Sequence, residues 1–293
     1  MCDEKTDEEA DRWLRGRGMT RRAFTASSAA AAVALAVPAR ALSVRGEDVV
    51  VDTADGKADC WFVRPESGEY PGVIVWPDIV GLREAYREMG RRLAEAGYAV
   101  LVMNPYYRIS PAPVVAPGAS FRDPATREIL LPMARSLSPA STATDARAAL
   151  AFLDASGAVD TRHGIGSTGY CMGGSMVFQT AAALPDRVRA GGSFHGGRLV
   201  TDADDSPHKV IRGLKGNYLI AVAENDHERE PDHAGILRES FAASAAEGEV
   251  EVYEDAMHGW CALDSAVHHP AQAARAHWRL LETFAAGLGE PIA

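Results

Sequence analysis

Residues 164–174 of this 293-residue chain read Gly-Ile-Gly-Ser-Thr-Gly-Tyr-Cys-Met-Gly-Gly, a β-compatible run of small residues that leads into a cysteine set between glycines. Within it, Gly169-Tyr170-Cys171-Met172-Gly173 has the spacing G-x-C-x-G. That is the spacing of a nucleophile elbow, a sharp strand-to-helix turn, with sulfur in place of the usual hydroxyl. The helix-like run from Ser175 to Leu184 follows it. The N–H groups and dipole at the start of such a helix favour a thiolate. A thiol nucleophile needs a base, and the base needs an orienting carboxylate. Two later apolar runs end in suitable residues. Tyr218–Ala223 leads into Glu224, Asn225 and Asp226, and Val250–Tyr253 leads to His258 and Gly259. Nucleophile, acid, histidine is a chain order that such elbows use, so Cys171, Asp226 and His258 are the expected triad. Glu224 is the competing acid, but the shorter Asp226 further into the loop suits the usual geometry.

Acyl transfer also needs two N–H donors for the developing oxyanion. Met172, the residue after the nucleophile, supplies one. The other is expected from the loop after the run Gly72–Trp76, where Pro77 has no N–H and Ile79 is the best candidate. Asp78 in that loop can lie close to Cys171, or act simply as a helix N-terminal carboxylate. His195 follows the run Arg189–Phe194, which makes it a candidate pocket wall at the same sheet edge. Gly164-Ile-Gly166-Ser-Thr-Gly169 matches G-x-G-x-x-G, but it falls within the elbow strand rather than between a strand and a helix, so a nucleotide site is not expected. Asp232-His233 and His268-His269 lack a third ligand at metal-binding spacing, and the latter pair precedes Pro270 at an apparent helix start. No metal or cofactor is therefore expected. Cys60 and Cys261 read as small buried residues.

The elements that must position these groups alternate. Glu47–Thr53 and Ala58–Arg64 read as an antiparallel hairpin around Asp55-Gly56. Gly72–Trp76, Tyr98–Met103, the elbow strand, Arg189–Phe194, Tyr218–Ala223 and Val250–Tyr253 read as further strands. Helical spacing runs from Leu82 to Ala96, and further helices are expected over Thr144–Ala155, Ser175–Leu184, Gly235–Ala246 and Ala271–Ala286. Such alternation implies an α/β fold with a mostly parallel central sheet flanked by helices. Residues 104–139 hold seven prolines and little periodicity, the mark of a functional connection such as a lid or pocket wall.

Composition narrows the function. The chain is 47% hydrophobic and carries a net charge of −10, which suits one sizeable domain and argues against a nucleic-acid partner. Its four cysteines do not form a disulfide framework. Arg21-Arg22, an alanine-rich run from Ala26 to Val37 and Ala39-Arg40-Ala41 read as a twin-arginine export signal, cleaved after Ala41. The run is too short for a bilayer-spanning helix. Residues 1–41 are thus expected to be a leader that engages the twin-arginine export machinery. Residues 42–293 are then the enzyme domain, periplasmic or secreted and monomeric, with a disordered or cytoplasmic extension as the alternative.

From Gly72 to the C-terminus the chain resembles the dienelactone hydrolase family of α/β-hydrolases. The residues that carry the resemblance are Gly169-Tyr-Cys-Met-Gly-Gly174, Asp226-His227 with Pro231, His258-Gly259 and the segment Tyr98–Arg108. The resemblance implies a Cys–His–Asp hydrolase of enol lactones or related esters, working without metal or cofactor. It implies that Arg108 binds the substrate carboxylate, and that a carboxylate at the position of Asp78, usually glutamate, pairs with the resting thiol. The family's dienelactone-specific members carry an arginine four residues beyond the histidine, where this chain has Ala262; Arg198 is a candidate replacement. Two other readings compete. One is a general carboxylesterase or thioesterase of the same fold, and the other is a non-catalytic binding protein that keeps the elbow cysteine as a redox sensor.

Overall fold

A computed structural model describes Glu9 and residues 41–289. The leader features Arg21-Arg22 and Ala39-Arg40-Ala41 thus lie outside the described residues, apart from Ala41 itself. One eight-stranded sheet organises the chain. Its strands are β1 Val44–Thr53, β2 Gly56–Pro65, β3 Gly72–Trp76, β4 Ala99–Met103, β5 Ile165–Tyr170, β6 Val188–Phe194, β7 Lys215–Ala223 and β8 Ala245–Tyr253. They lie in the order β1-β2-β4-β3-β5-β6-β7-β8. β1 and β2 form the expected hairpin, paired from Thr53 and Gly56 outward, and β2 runs antiparallel to β4. All other pairs are parallel. β3, β4 and β5 are buried along their whole length, as continuous apolar or small-residue runs in a covered parallel sheet must be.

Eight helices accompany the strands among the described residues: α1 Glu84–Glu95, α2 Pro124–Ser136, α3 Pro139–Ala155, α4 Met172–Ala183, α5 Pro207–Val210, α6 Glu224–Arg229, α7 His233–Ala242 and α8 Pro270–Leu288. The strand period of two splits the core. Ile74, Leu101 and Met103 face α3, α4 and α7 through Leu153, Phe178 and Leu237. Val73, Val100 and Val102 belong to the opposite layer with Tyr86 and Leu93 of α1 and Leu280 and Phe284 of α8. Each crossover helix buries one apolar stripe, and the carboxyl ends of the parallel strands stay open for a site.

The segment 104–139 contains a helix, α2, that its periodicity does not announce. Pro124 fits the first turn, but Pro132 lies inside the helix and removes an internal N–H donor. The apolar face of α2 is short. Leu130 joins Phe121 and Ile79 in a small cluster separate from both main cores, and Val114 and Leu131 pack against it. The helix is therefore held by tertiary contact with the loop after β3. At the other end of the segment, Ser138 and Ser141 form a reciprocal capping box that starts α3.

Candidate active site

The elbow has the strained geometry its sequence implies. Cys171 sits at φ 52° and ψ −114°, between β5 and α4. No side chain fits at the flanks: a Cβ on Gly169 would lie 2.0 Å from the Gly173 carbonyl oxygen, and one on Gly173 would lie 2.3 Å from the Trp76 carbonyl oxygen. The turn is tied to the neighbouring strand end. The Cys171 N–H donates to the Phe194 carbonyl at 3.0 Å and to His195 Nδ1 at 3.1 Å, and the Cys171 carbonyl accepts the Gly197 N–H at 2.9 Å. The G-x-G-x-x-G glycines occupy the start of the elbow and β5 itself, and Gly166 lies tight against the Phe284 ring.

Asp226 and His258 meet beside this elbow although 32 residues separate them. Asp226 Oδ2 accepts from His258 Nδ1 at 2.7 Å. The His258 N–H donates to Asn225 Oδ1 at 2.8 Å, so two consecutive residues of α6 fix both ends of the histidine. The Cys171 thiol also acts on the imidazole. Burial alone pushes the basicity of His258 down, but the Asp226 carboxylate and Cys171 outweigh it and raise it to about 10. The same pairing holds Asp226 below the usual carboxylate range against the upward push of burial. Glu224, the competing acid, is occupied elsewhere: it accepts the Asp255 N–H at 3.1 Å.

Cys171 and Met172 line a cavity of about 400 Å³ together with Ile79, Leu131 and Arg135 of α2, and Arg198. The expectation of a pocket wall within 104–139 thus matches α2. Tyr106 is a site residue that sequence reasoning missed. It is buried, its hydroxyl donates to the Ile79 carbonyl at 2.8 Å, and it touches Met172 Sδ at 3.3 Å, which ties together the two segments carrying the candidate oxyanion donors. Its only signal in the sequence is its position just past the end of an apolar strand.

Three expectations need correction. Asp78 is not paired with the thiol. Arg83 grips its two oxygens at 2.7 and 3.0 Å, the Val80 N–H donates to it at 2.9 Å, and Arg83 in turn holds Asp264. The short side chain closes a local turn two residues on, within reach of the arginine five residues on. Arg108 does not line the cavity. Both edges of its guanidinium are spent on Asp145, at 2.6 and 2.9 Å, and on Asp55, at 2.6 and 3.0 Å, and it stacks over Tyr107. Asp145 is 1% exposed, so the arginine neutralises a buried charge and anchors the β1–β2 turn to α3. Arg108→Ala should therefore cost about 3 kcal/mol of stability by leaving that carboxylate unpaired, read by thermal denaturation, while the preference between carboxylated and neutral esters stays unchanged. His195, thirdly, is not a wall of this cavity. It is buried behind Cys171, with its ring centroid 5.0 Å from those of His258 and Trp260. Ala262 and Cys261 are buried, and Cys261 lines a separate small cavity with Tyr170 and His277. Among the described residues, the arginines that line the Cys171 cavity are Arg135 and Arg198, and both are exposed.

A thiol on an elbow, an imidazole–carboxylate pair and two backbone N–H groups at one sheet edge are the parts of an acyl-transfer site. Comparison with known proteins shows which family of hydrolases the chain belongs to. A Methylorubrum extorquens homologue is 28% identical, with 91% of this chain and 92% of that protein covered. The carboxymethylenebutenolidase of Rhodococcus opacus is 26% identical over 71% of this chain and 77% of its own length. The solved structure of a dienelactone hydrolase-like promiscuous phosphotriesterase from metagenomic libraries superimposes with a TM-score of 0.69 at 22% identity, covering 84% of this chain and all of that one. Residues 59–288 match the dienelactone hydrolase family as a whole, and the eight-stranded sheet is that of an α/β-hydrolase. The chain is therefore a member of the dienelactone hydrolase family and a lactone or ester hydrolase of that type.

Proposed function

We propose that the chain hydrolyses small lactones or esters through Cys171, His258 and Asp226, by way of an acyl thioester. The observation that carries this reading is the 2.7 Å contact between Asp226 and His258 beside a cysteine that lines the cavity. Cys171 Sγ, whose proton His258 already holds in a thiolate–imidazolium pair, attacks the acyl carbon. The oxyanion accepts from the Met172 and Ile79 N–H groups, which Tyr106 keeps in register. The C–O bond then breaks as the His258 imidazolium protonates the leaving oxygen; an enol leaving group becomes a ketone and does not return. His258 next takes a proton from water, whose oxygen attacks the thioester carbon, and Cys171 leaves as the thiolate, which restores the pair. Only water is consumed. Intact mass spectrometry after brief exposure to a panel of enol lactones and esters tests this. A single acyl adduct on Cys171 is expected, and an unmodified chain during turnover would overturn the reading.

Within this site His195 is a positioning residue. Because Nδ1 accepts the Cys171 N–H, its own proton sits on Nε2. Burial, reinforced by the charge of His258, holds its basicity down at about 3, so it stays a neutral acceptor beside an imidazolium. His195→Phe should lower kcat about tenfold with little change in KM, and His195→Asn, which keeps an acceptor near Nδ1, should recover most of it. A pH–rate profile distinguishes this from lost stability, because only the positioning role moves the His258 limb.

A general carboxylesterase or thioesterase is the second reading, favoured by the absence of Arg108 from the cavity lining and the burial of Ala262. Arg135 and Arg198 are then the groups left to select an anionic substrate, and rates on matched carboxylated and neutral esters separate the two readings. We also infer export through residues 1–41 to the periplasm or beyond, with a monomeric product. Cell fractionation of the wild type and an Arg21→Lys/Arg22→Lys variant tests the export, and light scattering tests the monomer.

A further inference from the structure

The cavity that begins at Cys171 follows α4, the helix that the elbow opens, for two turns. Met172, Ser175, Met176 and Gln179 all line it. Their spacing of three, four and seven residues puts them on one helix face. Gly173, Gly174, Val177 and Phe178, which lie between them in the chain, are buried against the protein instead. At the helical rise of about 1.5 Å per residue, the lined face is about 10 Å long. Leu131 and Ala134 of α2 contribute an apolar wall. The charged lining residues Arg135, Arg198 and Asp205 are all exposed, whereas Met176 and Ile79 are 3% and 4% exposed, so charge stands at the rim and apolar groups make the floor. The Ser175 hydroxyl is turned back onto the Met172 carbonyl at 3.2 Å, which leaves little polarity along the middle of the face. Gln179 lies at the far end of the face, and its amide has no hydrogen-bond partner among the described residues.

We propose that this groove takes an unbranched acyl chain, so that linear acyl esters or thioesters are substrates and Gln179 marks the length that fits. The orientation follows from the proposed roles of Cys171 and His258, on which this inference rests. The leaving oxygen has to face His258, which protonates it, and His258 is not among the residues lining the cavity. The acyl carbon bonded to Sγ therefore carries its chain the other way, along α4. With carbon–carbon bonds of about 1.5 Å in a zigzag, about eight carbons cover the face. Met172 and Met176 suit such a ligand, because unbranched thioether side chains adapt to a flexible apolar chain. The volume of about 400 Å³ is within the range of small-molecule sites. A compact lactone ring fills only the end next to Cys171.

Hydrolysis of p-nitrophenyl esters from acetyl to decanoyl by the full-length chain reads the length preference. The value of kcat/KM is expected to climb about two- to fourfold per methylene up to about eight carbons and then level off or fall. Lengthening the alcohol of alkyl acetates should have little effect. Gln179→Trp, which fills the outer turn of about 5.4 Å, is expected to shorten the optimum by about four carbons. Leu131→Trp narrows the groove from α2 and should shorten it too, which gives a second block if the first variant folds poorly. N-methyl amides of the same acids, titrated by calorimetry into Cys171→Ala, report the groove without turnover. Their affinity should rise to the same length, and adding Gln179→Trp should shorten it equally. A preference for acetyl over octanoyl esters, an optimum set by the alcohol, or the same optimum in the wild type and both tryptophan variants would overturn the proposal. If the amides show the expected length dependence while no ester is turned over, the groove stands and the catalytic reading fails.

Discussion

Cys171→Ala is expected to lower kcat/KM for enol lactones and aryl esters by at least about 10⁴-fold while leaving the folded structure in place. The loss is large because the parts act as a unit. Met172 and Ile79 would still present their N–H groups, and His258 would still be paired with Asp226. Yet no thioester can form, and the remaining catalysis is what the oxyanion donors and binding supply alone. Stability should change little, since alanine fits the volume and the elbow is held through backbone groups, namely the Phe194 carbonyl and the Gly197 N–H. Stopped-flow rates and intact mass on the same samples check both halves. Retention of full hydrolysis of both substrate types would remove Cys171 from the chemistry.

Asp226→Asn is expected to cost about 10³-fold in kcat, with KM much less affected. Burial, the largest influence on His258, is opposed chiefly by this one carboxylate. With asparagine there, the imidazole would lose its orienting acceptor and its basicity would fall well below the present value of about 10, which drags the corresponding limb of the pH–rate profile downward. Stability carries a matching signature. The folded value for His258 lies above its ordinary 6.5, so that stabilisation is complete below 6.5 and is lost as pH rises through about 10. Asp226 is shifted the other way, so its share is present above 3.8 and is lost as pH falls further. The Tm deficit of Asp226→Asn should thus be widest between those limits and shrink above pH 10, as differential scanning calorimetry at several pH values would read.

The two arginine expectations differ instructively. Arg108 stands where a substrate arginine was expected, just past the end of a parallel strand, yet carboxylates 37 and 53 positions away take both its edges. Arg135 lies on a helix that proline-rich sequence conceals, and it lines the cavity. A cation's partner is decided by what the fold brings within about 4 Å, and local spacing is silent on that.

The sequence by itself determined the sheet, the elbow and the chain order of Cys171, Asp226 and His258. Strand runs, flanking glycines and the loops that follow strands are local signals, set by backbone sterics and by the period of burial. Only the tertiary structure decided which carboxylate meets the histidine, that Asp78 and Arg108 are spent on ion pairs, and that His195 stands behind the nucleophile rather than beside the substrate. Those outcomes depend on side chains distant in the chain competing for the same few buried charges and N–H groups, and that competition is settled only when the sheet closes and water leaves.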